Sequence, residues 1–167
     1  MEDIKITLVS VENPEQLNFI LGQTHFIKSV EDLYEAMIQG APSAKFGIAF
    51  CEASGPCKIR SEGNDDNLRA LAVKNAAAIG AGHTFLIFMN GCFPVTVLNA
   101  VKAVPEVCLI FCATANPTKV VVAESTFGKE KGRGILGVID GFSPKGVESA
   151  QETAQRHKFL RDIGYKR

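Results

Sequence analysis

Two short runs constrain this chain most: Phe46–Ala53 and His83–Met89, the second unbroken in its apolar character after its first two residues. Neither alternates apolar with polar, and both have the length of a strand rather than a core helix. They read as strands covered on both faces, so they belong at the centre of a sheet with a layer of structure on each side.

The flanking segments fill in that picture. Ile4–Val11 sets Ile4, Ile6 and Leu8 against Lys5 and Thr7, the pattern of a half-buried strand. Leu17–Ile27 is a further segment without a clear period. Ser29 opens a helix, with Asp32 as an incomplete capping box, a stripe of Leu33, Ala36 and Met37, and a stop at Gly40-Ala41-Pro42. Ser54–Asn64 holds Gly55, Pro56 and Gly63 and reads as a loop. A helix runs from Asp65 to about Ile79, capped by Asn64 or Asp65 and closed by Gly80-Ala81-Gly82. Pro94–Ala103 is a short helix.

Val107–Ala113, Lys119–Ala123 and Gly134–Ile139 then follow as strands, turned at Asn116-Pro117 and Phe127–Gly132, before an amphipathic helix from about Gly146 to Asp162. Strand alternates with helix early and runs to strand late. This predicts a single α/β domain over residues 1–167, with a mixed sheet, parallel in part, covered by helices and antiparallel near its C-terminal end. There is no room for the helices that a Rossmann topology needs between its last strands.

Composition narrows the function classes. Of 167 residues, 46% are hydrophobic and 22% charged, too apolar for a disordered chain. Eighteen Lys and Arg balance eighteen Asp and Glu, which does not suit a binder of long polyanions. The balance is a cancellation: residues 1–83 hold seven basic and eleven acidic side chains, residues 84–167 eleven and seven. The basic excess gathers at Arg156, Lys158, Arg161, Lys166 and Arg167, on a solvated last helix, facing the acidic half of another subunit, or screening an anionic ligand.

The longest apolar stretches, such as Val107–Cys112, are far short of a membrane span, and Met1-Glu2-Asp3 lacks the opening of a signal peptide. The five cysteines, Cys51, Cys57, Cys92, Cys108 and Cys112, form no CxxC pair and lie mostly in apolar runs; they read as reduced, buried thiols of a cytoplasmic protein. As strand residues, Cys108 and Cys112 would share a face, with no further ligands spaced for zinc.

Gly132-Arg133-Gly134-Ile135-Leu136-Gly137 matches GxGxxG, but it runs into a strand rather than opening a helix, so the dinucleotide reading fails. The protein-kinase set fails as well: Asp140-Gly141-Phe142 has the wrong order for DFG. No GxxxxGK[ST] occurs. Arg133 between glycines remains a guanidinium suited to a phosphate or carboxylate.

The richest polar stretch is Gly55–Arg60 with Gly63-Asn64-Asp65. Lys58 and Arg60 fall on one side of an extended segment, and the helix from Asp65 presents its N-terminus. That is an anion site or, equally, a capped helix after a solvated loop; Asp65 and Asp66 serve as caps or hold a ribose or a metal ion. Of the histidines, His157 lies among charges on the last helix. His83 opens an apolar strand and is a structural or a reactive imidazole. His25 precedes the Ser29 helix, where Lys28 and the helix N-terminus would stabilise a phosphoryl group. Asn116 reads a base or ribose hydroxyl, or forms the turn before Pro117.

Seven blocks in one order resemble the prokaryotic, largely archaeal, adenosine-specific kinase family: Gly22–Lys28, Ala49–Gly55, Gly80–His83, Val97–Ala100, Ala113–Pro117, Gly132–Gly141 and Ile163–Lys166. The resemblance covers almost the whole chain. It implies a compact α/β domain that forms a homo-oligomer, with a trimer among the candidates. It also implies a site for adenosine or AMP and a phosphorylated histidine, His25 or His83. Gln23, Lys28, Glu52, Lys58, Arg60, Asn64, Asp65, Asn116 and Arg133 are the expected substrate-binding residues, with no nucleic acid polymer or membrane as partner. Phosphoryl transfer would bring Mg2+, and no other cofactor is implied. The competing expectations are a non-catalytic adenosine or AMP sensor whose ligand alters assembly, and a structural subunit whose polar residues serve packing and turns.

Overall fold

The structure is a computed structural model that describes residues 3–167; Met1 and Glu2 of the N-terminal reading lie outside the described residues. Its elements are β1 (Lys5–Ser10), β2 (Asn18–Thr24), α1 (Ser29–Gly40), β3 (Lys45–Cys51), β4 (Ile59–Gly63), α2 (Asp66–Ile79), β5 (Thr84–Asn90), α3 (Pro94–Ala103), β6 (Val107–Thr114), β7 (Thr118–Phe127), β8 (Glu130–Asp140) and α4 (Ala150–Asp162). They form a five-stranded sheet, β4-β3-β5-β2-β6, and a three-stranded sheet, β1-β7-β8.

The apolar runs are the centre of the large sheet. Along β5, Phe85, Ile87 and Met89 face one core with Phe46, Ile48 and Phe50 of β3, while Leu86 and Phe88 face the other with Ala49 and Cys51. The first core is closed by α1 and α3 through Leu33, Met37, Val97 and Val101. The second is closed by α2 through Leu68, Ala72 and Ile79, and by the small sheet through Val120 and Val122. Burial on both faces leaves no place for a polar alternation. Helix α2 lies directly on β3: a Cβ on Gly47 would stand 2.1 Å from the Arg69 nitrogen.

The α/β class holds, but the parallel part of the expected mixed sheet does not. Every pairing among the described residues is antiparallel. The reason lies in the crossovers. Strands β2 and β3, joined by α1, run the same way, but β5 lies between them; β3 separates β4 from β5, and β2 separates β5 from β6. Each helical connection thus skips one strand position, and that strand pairs antiparallel with both neighbours.

Other expectations shift locally. The supposed loop Ser54–Asn64 contains β4, an edge strand whose Ile-Arg-Ser-Glu-Gly sequence hides its pairing with β3. Ser29 makes no capping box: Lys28 is the N-cap, without a side-chain cap bond, and the Ser29 hydroxyl donates to the Phe26 carbonyl. Strands β7 and β8 extend to a tight turn at Gly128-Lys129, so the GxGxxG string lies wholly within β8. Cys57 and Cys108 are exposed, not buried. Register shifts between β2 and β6 leave Cys108 unpaired and break the face it would share with buried Cys112. Helix α4 has a capping box, Ser149 with Glu152, but no buried residue. It is tethered through Tyr165, which bonds Thr96 at 2.8 Å and meets the Phe93 ring edge-on. No helix of the described residues is long and apolar enough to cross a membrane.

Candidate functional site

A cleft of about 460 Å³ opens where the end of β2, the β3–β4 connection and the turn before β5 meet. It is lined by His25, Phe26 and Ile27, by Phe50 and Glu52 with the Ser54-Gly55-Pro56 loop, and by His83. Backbone bonds bring the two histidines together. Thr24 donates its N–H to the His83 carbonyl at 2.9 Å, His83 donates to the Cys51 carbonyl at 2.8 Å, and His25 donates to the Glu106 carbonyl at 3.0 Å.

These bonds hold unusual backbone. His83 has φ 62° and Phe26 has φ 91°; with Cys57 (φ 49°), they are three of the four non-glycine residues at positive φ among the described residues. Such conformations cost on the order of 1–3 kcal/mol each and gather where a binding geometry requires them. The His83 ring lies parallel to buried Phe50, the planes 11° apart and the centroids 6.2 Å, which fixes the imidazole plane at the cleft wall. Phe26, 60% exposed on the opposite segment, offers a second aromatic face.

Glu52 is the carboxylate of the cleft. Its Oε2 accepts the Lys58 backbone N–H at 2.8 Å, and its Oε1 accepts from Arg60 Nε at 2.9 Å and lies 2.8 Å from Nη2. The Lys58 amide, then Arg60, hold its carboxyl below the usual carboxylate range. It stays an acceptor at neutral pH, with lone pairs left for hydroxyl donors.

The expected cations are less free than their sequence suggests. Lys28 bonds Asp32 and, at 2.7 Å, Glu106; these partners, Asp32 foremost, raise its pKa well above the ordinary lysine value. Lys28 and Arg60 line a neighbouring depression of about 400 Å³ that shares Ile27 with the cleft. Lys58 is exposed and, among the described residues, is the one of the four expected cations outside an ion pair. The N-terminal N–H groups of α1 offer no open anion cradle beside His25, because those of Ser29 to Asp32 donate to the carbonyls of Phe26, Ile27 and Lys28.

The remaining expected residues do not line the cleft. Asp65 is the N-cap of α2, accepting from Asn67 and Leu68, so its own carboxylate fills the helix N-terminus. Asn64 ties β3 down, accepting from Phe46 N–H at 2.8 Å and donating to the Ala44 carbonyl at 2.9 Å. Asn116 donates to Asp140 at 3.0 Å in the turn joining β6 to β7. Gln23 is half-buried within β2. Arg133 braces the turn behind His83: it pairs with Glu124 at 2.7 Å and donates to the carbonyls of Ala78 and Ile79 at 3.4 Å, at the end of α2.

Sequence reading missed Phe26, Phe50 and Glu106. Phe26 carried a signal, an aromatic directly after His25, whereas Phe50 meets His83 only through the fold. Nothing local marks Glu106, whose partner Lys28 is 78 residues away.

The donor set does not make a metal cage. Among the described residues no group of three or more His, Cys, Asp or Glu side chains converges as metal ligands; Glu52 pairs with Arg60, and Asp32 and Glu106 share Lys28.

The fold and cleft define an antiparallel α/β protein with a histidine-walled pocket of small-ligand size. A model of the family described as "Adenosine specific kinase" matches residues 9–166, and the chain belongs to that family. It is 42% identical to the PH1918 protein from Pyrococcus horikoshii OT3, whose crystal structure matches with a TM-score of 0.90 over 99% of each chain. No curated protein matches the chain.

Proposed function

We propose that the cleft binds adenosine or AMP and that His83 carries a phosphoryl group to or from the nucleoside. The observation that supports this best is the convergence of both candidate histidines, a carboxylate and two aromatic rings on one cleft, with strained backbone at its walls. The base stacks on Phe26, and the ribose hydroxyls donate to Glu52. The phosphoryl group sits on an imidazole nitrogen of His83; when it passes to a ribose hydroxyl, the P–N bond breaks as the P–O bond forms, and the freed nitrogen takes the hydroxyl proton. His83 is preferred to His25 because its ring is fixed against Phe50 and its backbone is tied on both sides. Lys58 is the cation available to the phosphoryl oxygens, with Lys28 and Arg60 at the adjoining rim. Arg133, Asn64, Asp65 and Asn116 act as supports.

The chain works as a homo-oligomer in the cytoplasm. It exposes 10268 Å², against about 8,000 Å² for a monomer of its mass. The outer face of the small sheet exposes Ile4, Ile6 and Leu8 together with Leu136 and Ile139 of β8. These aliphatic side chains make an exposed apolar face that suits an interface between copies.

Label transfer from a phosphoryl donor tests the enzyme reading. Wild type should yield labelled nucleotide from adenosine, and His83→Ala should not; undiminished turnover in both His83→Ala and His25→Ala overturns it. The sensor reading has one observation of its own: three of the four expected cations are already paired, which suits binding better than phosphoryl transfer. It predicts adenosine binding and a change in oligomer size with no labelled product.

A further inference from the structure

Glu106 follows α3 and is 6% exposed, but it does not line the cleft. Its carbonyl holds the His25 N–H, and its Oε1 holds the Lys28 ammonium at 2.7 Å. Its Oε2 is buried without a hydrogen-bond partner in the described structure. A carboxylate so enclosed is costly to desolvate, and its ionic partner is an ammonium that Asp32 also neutralises. One positive charge shared by two negative ones leaves this cluster with a formal charge of −1. The neighbouring pair, Glu52 with Arg60, sums to zero. The depression that meets the cleft at Ile27 also has Glu31 and Glu62 in its lining beside Lys28 and Arg60, so this rim carries two cations and no net positive charge.

We propose that Glu106 determines ligand preference: by keeping Lys28 neutralised, it makes the cleft favour the uncharged nucleoside over its monophosphate. The inference rests on the adenosine reading above and adds a consequence to it. A monophosphate carries nearly two negative charges at neutral pH. A cationic rim would retain it, whereas a neutralised rim lets the phosphorylated product leave. Glu106 acts through Lys28 and is a positioning residue, not a catalytic one.

The test is calorimetric titration of the full chain with AMP and with adenosine. Glu106→Gln keeps the shape and removes the charge; the ratio of AMP to adenosine affinity should rise by about tenfold. Asp32→Asn, which removes the other carboxylate from Lys28, should move the ratio the same way and serves if Glu106→Gln does not fold. Adding Lys28→Gln to either variant should cancel the gain. A purely structural role for Glu106 would weaken both ligands alike, and an unchanged ratio overturns the inference. Wild type that binds neither ligand overturns the adenosine reading and this inference together; wild type that binds, with an unchanged ratio in the variants, overturns this inference alone.

Discussion

The Thr24 N–H donates to the His83 carbonyl at 2.9 Å, and this bond sets the two histidine-bearing segments side by side at one end of the large sheet. His83 reaches it only by taking φ 62°, directly after the Gly80-Ala81-Gly82 turn.

That conformation predicts a trade between stability and function. Glycine meets no Cβ penalty at positive φ, so His83→Gly should be more stable than His83→Ala by about 1 kcal/mol. Both should lose phosphoryl acceptance. Denaturant melts and label incorporation check the pair; a His83→Ala variant more stable than His83→Gly would contradict the strain at this position.

Glu52 should matter to the nucleoside more than to the fold. On the proposed reading Glu52 accepts from the ribose, and Glu52→Gln would remove that charged acceptor, a hydrogen bond of about 1.5–3 kcal/mol, so adenosine should bind roughly 10- to 100-fold more weakly. Affinity for a nucleoside lacking both ribose hydroxyls should fall much less on the same substitution. Calorimetry with the two ligands decides this.

Arg133 should report on stability alone. Its guanidinium closes the carbonyl end of α2 and pairs with Glu124, so Arg133→Ala should cost about 1 kcal/mol in chemical denaturation. Adenosine affinity should stay within a factor of two, as judged by calorimetry. A large affinity loss in a stable variant would return Arg133 to the ligand.

The same pair gives a pH dependence. Arg133, then Lys131, hold the Glu124 carboxyl below its ordinary value. A carboxyl depressed on folding stabilises the native state fully above its unfolded pKa of about 4.3. The contribution is lost as pH falls from there through the folded value. Glu124→Gln should therefore melt at a lower temperature than wild type at pH 7, with the gap closing on acidification below pH 4. A gap that persists at pH 2 would contradict the ion pair.

Gly47 tests the layer beneath the site. A Cβ there meets the α2 backbone, so Gly47→Ala must push α2 off β3 and should cost about 3 kcal/mol in a urea melt. A near-neutral effect would contradict this packing.

Much of this was legible from local pattern. Phe85 to Met89 carries no polar residue because both faces of β5 are covered, and Asp65 announces the α2 cap it forms. The antiparallel C-terminal strands were legible; the antiparallel pairing of the five-stranded sheet was not, because strand–helix–strand order is the same whether or not another strand inserts between the two. Strand β4 was hidden because the half-buried edge strand Ile59 to Gly63 is as polar in sequence as a loop. At the site, the residue types were visible but their partners were not. Lys28 reads as a free cation until folding brings Glu106 to it, and Arg133 as an anion ligand until it meets the end of α2.

Adenosine binding in this cleft underlies every functional step proposed above. Titrating adenosine into the folded wild-type chain, with Phe26→Ala beside it, tests that most directly. One saturable site per chain in wild type, weakened at least tenfold in Phe26→Ala by loss of base stacking, is the predicted result. No heat of binding from wild type, or equal binding in the two proteins, would contradict it.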